Sequence, residues 1–303
     1  IVFVALCATV SKQAGLTNMA AESMMLTSAL AGVIASAVTQ SLALGILIGA
    51  ACAVLITLLL CFASFYMKVD LYLMSISMNT ALAGATVYVL FITTGTKANT
   101  AAYYNSLQVP AFHLPFIKDI PFIGPILSGH NGFTYLAWIM IFAVWFLIFR
   151  TKFGLRMRAV GQNPQAAESV GINPRTVYTL SFMIAGLIAS FGGMFLSMGY
   201  QNFFIRDMTG GKGFIGMAAA TIAGASPLAS AIIAYIFGLA DAVTNYSKLI
   251  ITDAQFLAAL PYIITVALLL IFSALKKKAQ DAAERRRKIA ALGVSSMMSK
   301  GDS

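Results

Sequence analysis

Residues able to do chemistry are few in this chain, and most of them stand inside apolar surroundings. Asp241, Asn245 and Lys248 follow one another at i, i+4 and i+7, which puts all three on one helix face. Such a stripe can hydrogen-bond a polar solute, or it can lock neighbouring helices together. Ionisable groups within apolar segments are costly and mark functional positions, so Asp241 leads the candidates. Asn18 and Glu22 flank an interruption at residues 11–18 between two apolar stretches. There Glu22 serves either a solute pathway or an interfacial cap. Asn79 is a lone amide in a long apolar run, facing a pathway or bonding a neighbouring helix. Arg206, Asp207 and Lys212 read as an outer loop that meets a partner protein or simply solvent. His113 and His130 fall in another outer loop and receive no chemical role.

The motifs of catalysis are missing. The sequence contains no HExxH, no GxSxG and no cluster of His, Cys and carboxylates, which speaks against a membrane enzyme. Cys7, Cys52 and Cys61 lie in or near apolar segments without a CxxC pair. They read as small buried thiols, not as a metal or disulfide framework. Gly210-Gly211-Lys212-Gly213 lacks the spacing of a phosphate-binding GxxxxGK[ST] loop and the hydroxyl residue after its lysine.

The elements that hold these residues must be membrane helices. Hydrophobic residues make up 59% of the 303, charged residues only 10%, and mean hydropathy is +0.85; a soluble domain is nearer ~25% charged. Residues 23–67 run for 45 positions without a charge, and 71–96, 176–205 and 254–275 for 26, 30 and 22. About 20 apolar residues cross a bilayer core, so the first run makes two crossings with a turn near Thr39-Gln40-Ser41. Gly, Ala, Ser and Thr are mixed into each run, as in closely packed membrane helices. The expected segments are 1–10 (the tail of a first helix, without the basic start of a signal peptide), 22–39, 42–66, 71–94, 133–149, 176–199, 213–225, 228–247 and 255–275. The fold class is therefore all-α and polytopic, with eight to nine transmembrane helices in one domain, 1–275, followed by a basic tail, 276–303.

Charge orients the bundle. The loop 150–175 holds Arg150, Lys152, Arg156, Arg158 and Arg175 against Glu168, and the tail holds eight Lys/Arg against three acids. Positive loops stay in the cytoplasm, so both regions are assigned there, and topology accounts for the charge without a nucleic-acid partner. Parity then requires 213–225 to complete a crossing. Its 13 residues reach only ~20 Å as a helix, so it reads as a half-helix or a steeply tilted one. Short, glycine-interrupted segments in the two halves of a transporter point to a solute site between repeats. Residues 15–22 and 211–218 show a weak mutual similarity of that kind, an inverted repeat in outline. The loop 95–132, with four prolines, reads as irregular and external.

The basic loop has its own punctuation. Asn163 suits an N-cap and Pro164 the first helical position. Gln165 to Val170 form a short helix, and Gly171 suits the left-handed residue beyond its end. Asn173-Pro174 repeats the start signal for the next membrane helix. A stiff element of that kind can transmit force to the bundle, or be an ordinary connection.

The run RTKFGLRMRAVGQNPQAAESVGI over residues 150–172 resembles the cytoplasmic loop of bacterial ABC importer permeases of the branched-chain amino acid/ribose/galactose superfamily. GLTNMAAESMML at 15–26 and FGLADA at 237–242 are similar to the nucleoside and simple-sugar branch, and the resemblance covers nearly the whole chain. It implies a type II importer-like permease subunit in the bacterial cytoplasmic membrane. Such a subunit has no ATP site or other cofactor of its own, since ATP is handled by a separate cytoplasmic ATPase. A second permease subunit, as a heterodimer, and an extracellular substrate-binding lipoprotein are the further implied partners. On this resemblance Gly161, Asn163, Pro164, Ala166, Ala167, Glu168 and Gly171 belong to the ATPase coupling loop, with Ala166, Ala167 and Glu168 expected in a cleft on the ATPase. Asp241 and Asn245 would meet ribose hydroxyls or base edges, and nucleosides are the expected cargo. Ribose/galactose-type sugars or branched-chain amino acids are the alternative cargo, and an ion-coupled secondary transporter the alternative class.

Overall fold

The computed structural model describes residues 1–112 and 128–250, with 266, 267, 270 and 274 beyond them. The chain divides into two compact units, Ile1–Gly238 and Leu239–Ser303.

The first unit begins with α1 (Val2–Gln13), α2 (Ala21–Thr39), α3 (Leu42–Tyr66) and α4 (Leu71–Thr94). A two-residue hairpin, β1 (Ala111–Phe112) with β2 (His130–Asn131), leads into α5 (Gly132–Arg150). Then come α6 (Lys152–Gln162), α7 (Pro164–Ser169), α8 (Pro174–Met194) with a π-helical last turn (Phe195–Tyr200), α9 (Lys212–Ile222) and α10 (Pro227–Ile250), whose residues from Leu239 on belong to the second unit. Among the described residues six helices are long and apolar enough to cross a membrane, while α1 and α9 are shorter apolar helices. The observed ends of α2, α3, α4, α5 and α10 fall within three residues of the expected segments. Segment 255–275, the last expected crossing, lies outside the described residues except at its four helical positions.

Capping explains why the long helices start where they do. The Asp70 carboxylate accepts from the amides of Tyr72 (2.9 Å) and Leu73 (3.0 Å) at the head of α4. The Asn131 side chain accepts from the Thr134 amide at 3.1 Å at the head of α5. These side chains satisfy amides that a helix start leaves without partners.

Small residues then let α2, α3 and α8 approach closely. A methyl on Gly45 would lie 2.9 Å from the Gly32 carbonyl oxygen, and one on Gly49 2.9 Å from the Ser28 oxygen. One on Gly193 would run into the Met25 carbonyl. Backbones packed this tightly replace the hydrophobic drive that lipid cannot supply between helices. The buried centre that results includes Met24, Met25, Phe182, Ile188, Met194 and Met198.

One expectation needs correction and another gains detail. The loop 150–175 is not all loop: α6 occupies 152–162, started by the Thr151 hydroxyl accepting from the Gly154 amide at 3.0 Å. Its Gly154, Met157 and Val160 are buried at three-residue spacing, a short amphipathic stripe hidden among four basic residues, Arg150, Lys152, Arg156 and Arg158. The described part of the loop 95–132 is also ordered against the bundle. Thr100 N–H donates to the Phe204 carbonyl (3.0 Å), Arg206 N–H to Ala98 (2.9 Å) and Ser106 N–H to Asn202 (2.7 Å), beside a bridge between Asn99 and Ile205.

Candidate functional site

The break after α1 is a re-entry of the chain into the bundle. Helix α1 continues to Gln13, past the expected end, and Gly15 turns the chain at φ +81°. The Asn18 amide then folds back over the last turns of α1, donating to Ser11 Oγ (3.4 Å) and Cys7 Sγ (3.5 Å). Its oxygen accepts from the Ala20 amide at 3.0 Å, and the side chain is buried. Helix α2 thus starts beside the middle of α1. It also starts eight residues along α4, which at 1.5 Å per residue is ~12 Å from the Leu71 end.

A helix start at that depth leaves donors away from water, which costs free energy unless they are paired. The starts of α2 and α9 are both closed by side chains from other elements. Asn79 of α4 accepts from the Ser23 amide (3.1 Å) and donates to the Met19 carbonyl (2.8 Å), capping α2 across the bundle. Glu22, in the first turn of α2, accepts from the amides of Gly211 (2.9 Å) and Gly213 at the head of α9. Helix α9 has no cap of its own, because its N-cap is Gly211 in the left-handed region. A carboxylate suits that place, since a helix N-terminus carries partial positive charge. The segments 15–22 and 211–218, paired in sequence by their glycines, therefore meet in space through Glu22. Lys212 is the first residue of α9, not part of an outer loop.

Asp241 and Asn245 belong to the second unit and are described on their own. They lie four residues apart on α10, with Asp241 half-buried and Asn245 exposed. The Lys248 side chain lies outside the described residues, as does His113. His130 pairs with Phe112 across the two short strands and sits edge-on to Trp138 at 6.2 Å.

The short helix of the basic loop has the expected punctuation. The Asn163 side chain accepts from the Ala166 amide at 3.0 Å and Pro164 stands at the first helical position. Gly171 closes it at φ +81° with its amide on the Glu168 carbonyl at 2.9 Å. The Asn173 oxygen accepts from Arg175 (3.0 Å) and Thr176 (3.4 Å) to start α8. Asn163, Pro164, Gln165, Ala166 and Glu168 are exposed, but Ala167 is only 3% exposed and belongs to the buried core with Met157, Val160 and Val177. The exposed face of this helix therefore includes Asn163, Pro164, Gln165, Ala166 and Glu168. Ala167 anchors the helix from below.

A cavity of about 600 Å³ opens between α2, α3 and α4. It is lined by apolar side chains, with threonine hydroxyls at Thr27, Thr39 and Thr86 already donating within their own helices. A polar solute would find little there beyond the remaining acceptor capacity of these hydroxyls and the weak Cys52 thiol, so its size alone does not make it the solute site. Sequence reasoning also missed Gln201 Oε1 and Thr209 Oγ1, buried without a partner in the stretch that leads into α9.

Among the described residues, six long apolar helices, two short ones packed side by side, and a capped short helix in a basic loop define a polytopic membrane permease. Residues 1–273 match the family described as branched-chain amino acid transport system / permease component, and the chain belongs to that family. It is a permease of the ABC transporter class. It is 29% identical over 280 residues to the guanosine ABC transporter permease protein NupQ of Bacillus subtilis, covering 88% of this chain and 86% of the relative. It is 26% identical over 280 residues to TsgC13 of Haloferax volcanii, provisionally named a glucose ABC transporter permease, covering 86% and 84%. The nucleoside ABC transporter permease protein NupC of Lactococcus lactis is 28% identical over 176 residues, 54% of each chain. No solved structure matches the chain.

Proposed function

We propose that this chain is the membrane-spanning subunit of an importer that moves nucleosides across the cytoplasmic membrane, powered by ATP hydrolysis in a separate subunit. The observation that carries the cargo is the likeness to NupQ along 88% of the chain, with NupC in support. Glu22 adds a physical argument. Half-helix N-termini in transporters receive anionic groups of their solutes, and at the head of α9 that place is taken by the chain's own carboxylate. A neutral solute suits such a bundle better than an amino acid with its carboxylate. A neutral sugar satisfies the same argument, and the likeness to TsgC13 favours it as the second reading.

In this reading Asn18, Glu22 and Asn79 shape the re-entry beside the pathway, while Asp241 and Asn245 offer hydrogen bonds to ribose hydroxyls or base edges. The loop 150–175 and the tail 276–303 face the cytoplasm. Helix α7 is the element on which a cytoplasmic ATPase docks, through Ala166 and Glu168. A second permease subunit completes the pathway, and an extracellular lipoprotein delivers the cargo. The chain itself holds no cofactor, and ATP stays with the ATPase.

Uptake of radiolabelled guanosine, adenosine, uridine and ribose by cells with and without this chain tests the cargo. Loss of nucleoside uptake alone is expected. Loss of ribose uptake alone would replace nucleosides with sugars.

A further inference from the structure

At two glycines the basic loop and the membrane break meet backbone to backbone. Gly161, in the last turn of α6, lies against the turn that ends α1. A methyl on Gly161 would stand 3.0 Å from the Gly15 amide nitrogen, 2.9 Å from the Ala14 carbonyl carbon and closer still to the Gln13 carbonyl oxygen. In the other direction, a methyl on Gly15 would stand 3.0 Å from the Gly161 Cα and 3.1 Å from its oxygen. Two backbones therefore touch directly, and no flexible side chain lies between them to absorb movement.

Both sides of that contact are stiff. Toward the loop, Asn163 belongs to two helices at once: its N–H donates to the Ala159 carbonyl of α6 (3.1 Å) and its side chain caps α7. Displacing α7 therefore carries the end of α6 with it. Toward the bundle, the Leu16 amide donates to the Ser11 carbonyl (2.9 Å) and Asn18 holds the next residues to α1. Gln13 reaches further, its amide donating to the Ala225 carbonyl at 2.7 Å, in the turn that closes α9. Helix α9 is thus gripped at both ends, by Glu22 at its start and by Gln13 at its finish.

We propose that Gly15 and Gly161 form the joint through which movement of α7 reaches the membrane break, and that Gln13 passes it on to the end of α9. This rests on the reading of α7 as the ATPase docking helix. Gly15, Gly161 and Gln13 are positioning residues: they touch neither ATP nor cargo. Close-packed interiors transmit displacement with little compliance, and residues on such a route alter coupling by about two- to thirtyfold.

The test uses the assembled transporter, purified with its ATPase and reconstituted in liposomes, and reads radiolabelled nucleoside moved per ATP hydrolysed. Gly161→Ala is expected to retain the ATPase and its hydrolysis while the transported ratio falls about tenfold. Gln13→Ala, which removes a hydrogen bond without a clash, lowers the ratio about two- to fivefold. Leu155→Ala, on the exposed side of α6, leaves it unchanged. A purely structural role would lower yield and thermal stability but keep the ratio, and an unchanged ratio in both variants overturns the proposal. Should Gly161→Ala fail to assemble, Gln13→Ala decides alone. The docking reading is tested separately by Ala166→Arg: an ATPase that still co-purifies with that variant refutes docking, whatever the ratios are.

Discussion

Glu22 is the residue whose removal tests the architecture most sharply. Its carboxylate holds two amides of α9, those of Gly211 and Gly213, and Glu22→Ala leaves both without an acceptor. Hydrogen bonds to charged groups contribute about 1.5–3 kcal/mol each in soluble proteins. Interhelical bonds inside membranes average nearer ~0.6 kcal/mol, because the separated helices find other partners. Losing favourable charge at a helix N-terminus adds roughly 0.3–1 kcal/mol. Glu22 is half-buried, so the sum belongs between those limits, about 2–4 kcal/mol for the alanine variant. Glu22→Gln keeps one acceptor oxygen but turns an NH2 group toward the other amide, so about half that loss is expected. Unfolding in mixed micelles, followed through the fluorescence of the two tryptophans, gives the order wild type, Gln, Ala. Uptake falls in the same order. An alanine variant as stable and active as wild type would refute the claim that Glu22 holds the head of α9.

Three further outcomes follow from contacts at other positions. Asn79→Leu uncovers the Ser23 amide and the Met19 carbonyl and costs about 1–3 kcal/mol in the same unfolding assay. Gly193→Ala drives a methyl into the Met25 carbonyl, whereas Gly84, with nothing within 4 Å, has open space; the first loses about 1–3 kcal/mol by overpacking and the second is neutral or gains through helix propensity, as thermal stability in detergent will show. Asn163→Ala removes the cap of α7 and costs about 1 kcal/mol locally, seen as faster amide hydrogen exchange over residues 164–169 with the membrane helices unchanged.

What could be read from the sequence and what could not divide along a physical line. Helix spans are written in long charge-free runs and in caps such as Asp70 and Asn173, which act within a few residues. The punctuation of α7 was legible for the same reason, since Asn163, Pro164 and Gly171 each act on their near neighbours. Helix α6 was hidden because its buried stripe of Gly154, Met157 and Val160 is short and lies among four cations. The partners of Glu22 and Asn79 were beyond reach, because they are backbone groups 189 and 60 residues away that no side-chain type announces. Ala167 carried the same difficulty in reverse. Its place beside two exposed residues says nothing of the core beneath it, so an outward face was expected where the structure has an anchor.

The central claim is that this chain lacks a motor of its own and moves its cargo on ATP spent by a partner. It is tested most directly in proteoliposomes holding this chain with its second permease subunit and ATPase, supplied with binding protein and radiolabelled nucleoside on the cargo side. Accumulation is expected only with ATP on the face bearing residues 150–175, and it persists when ionophores dissipate proton and sodium gradients. Accumulation that follows an ion gradient without ATP would contradict the account and place the chain among secondary transporters.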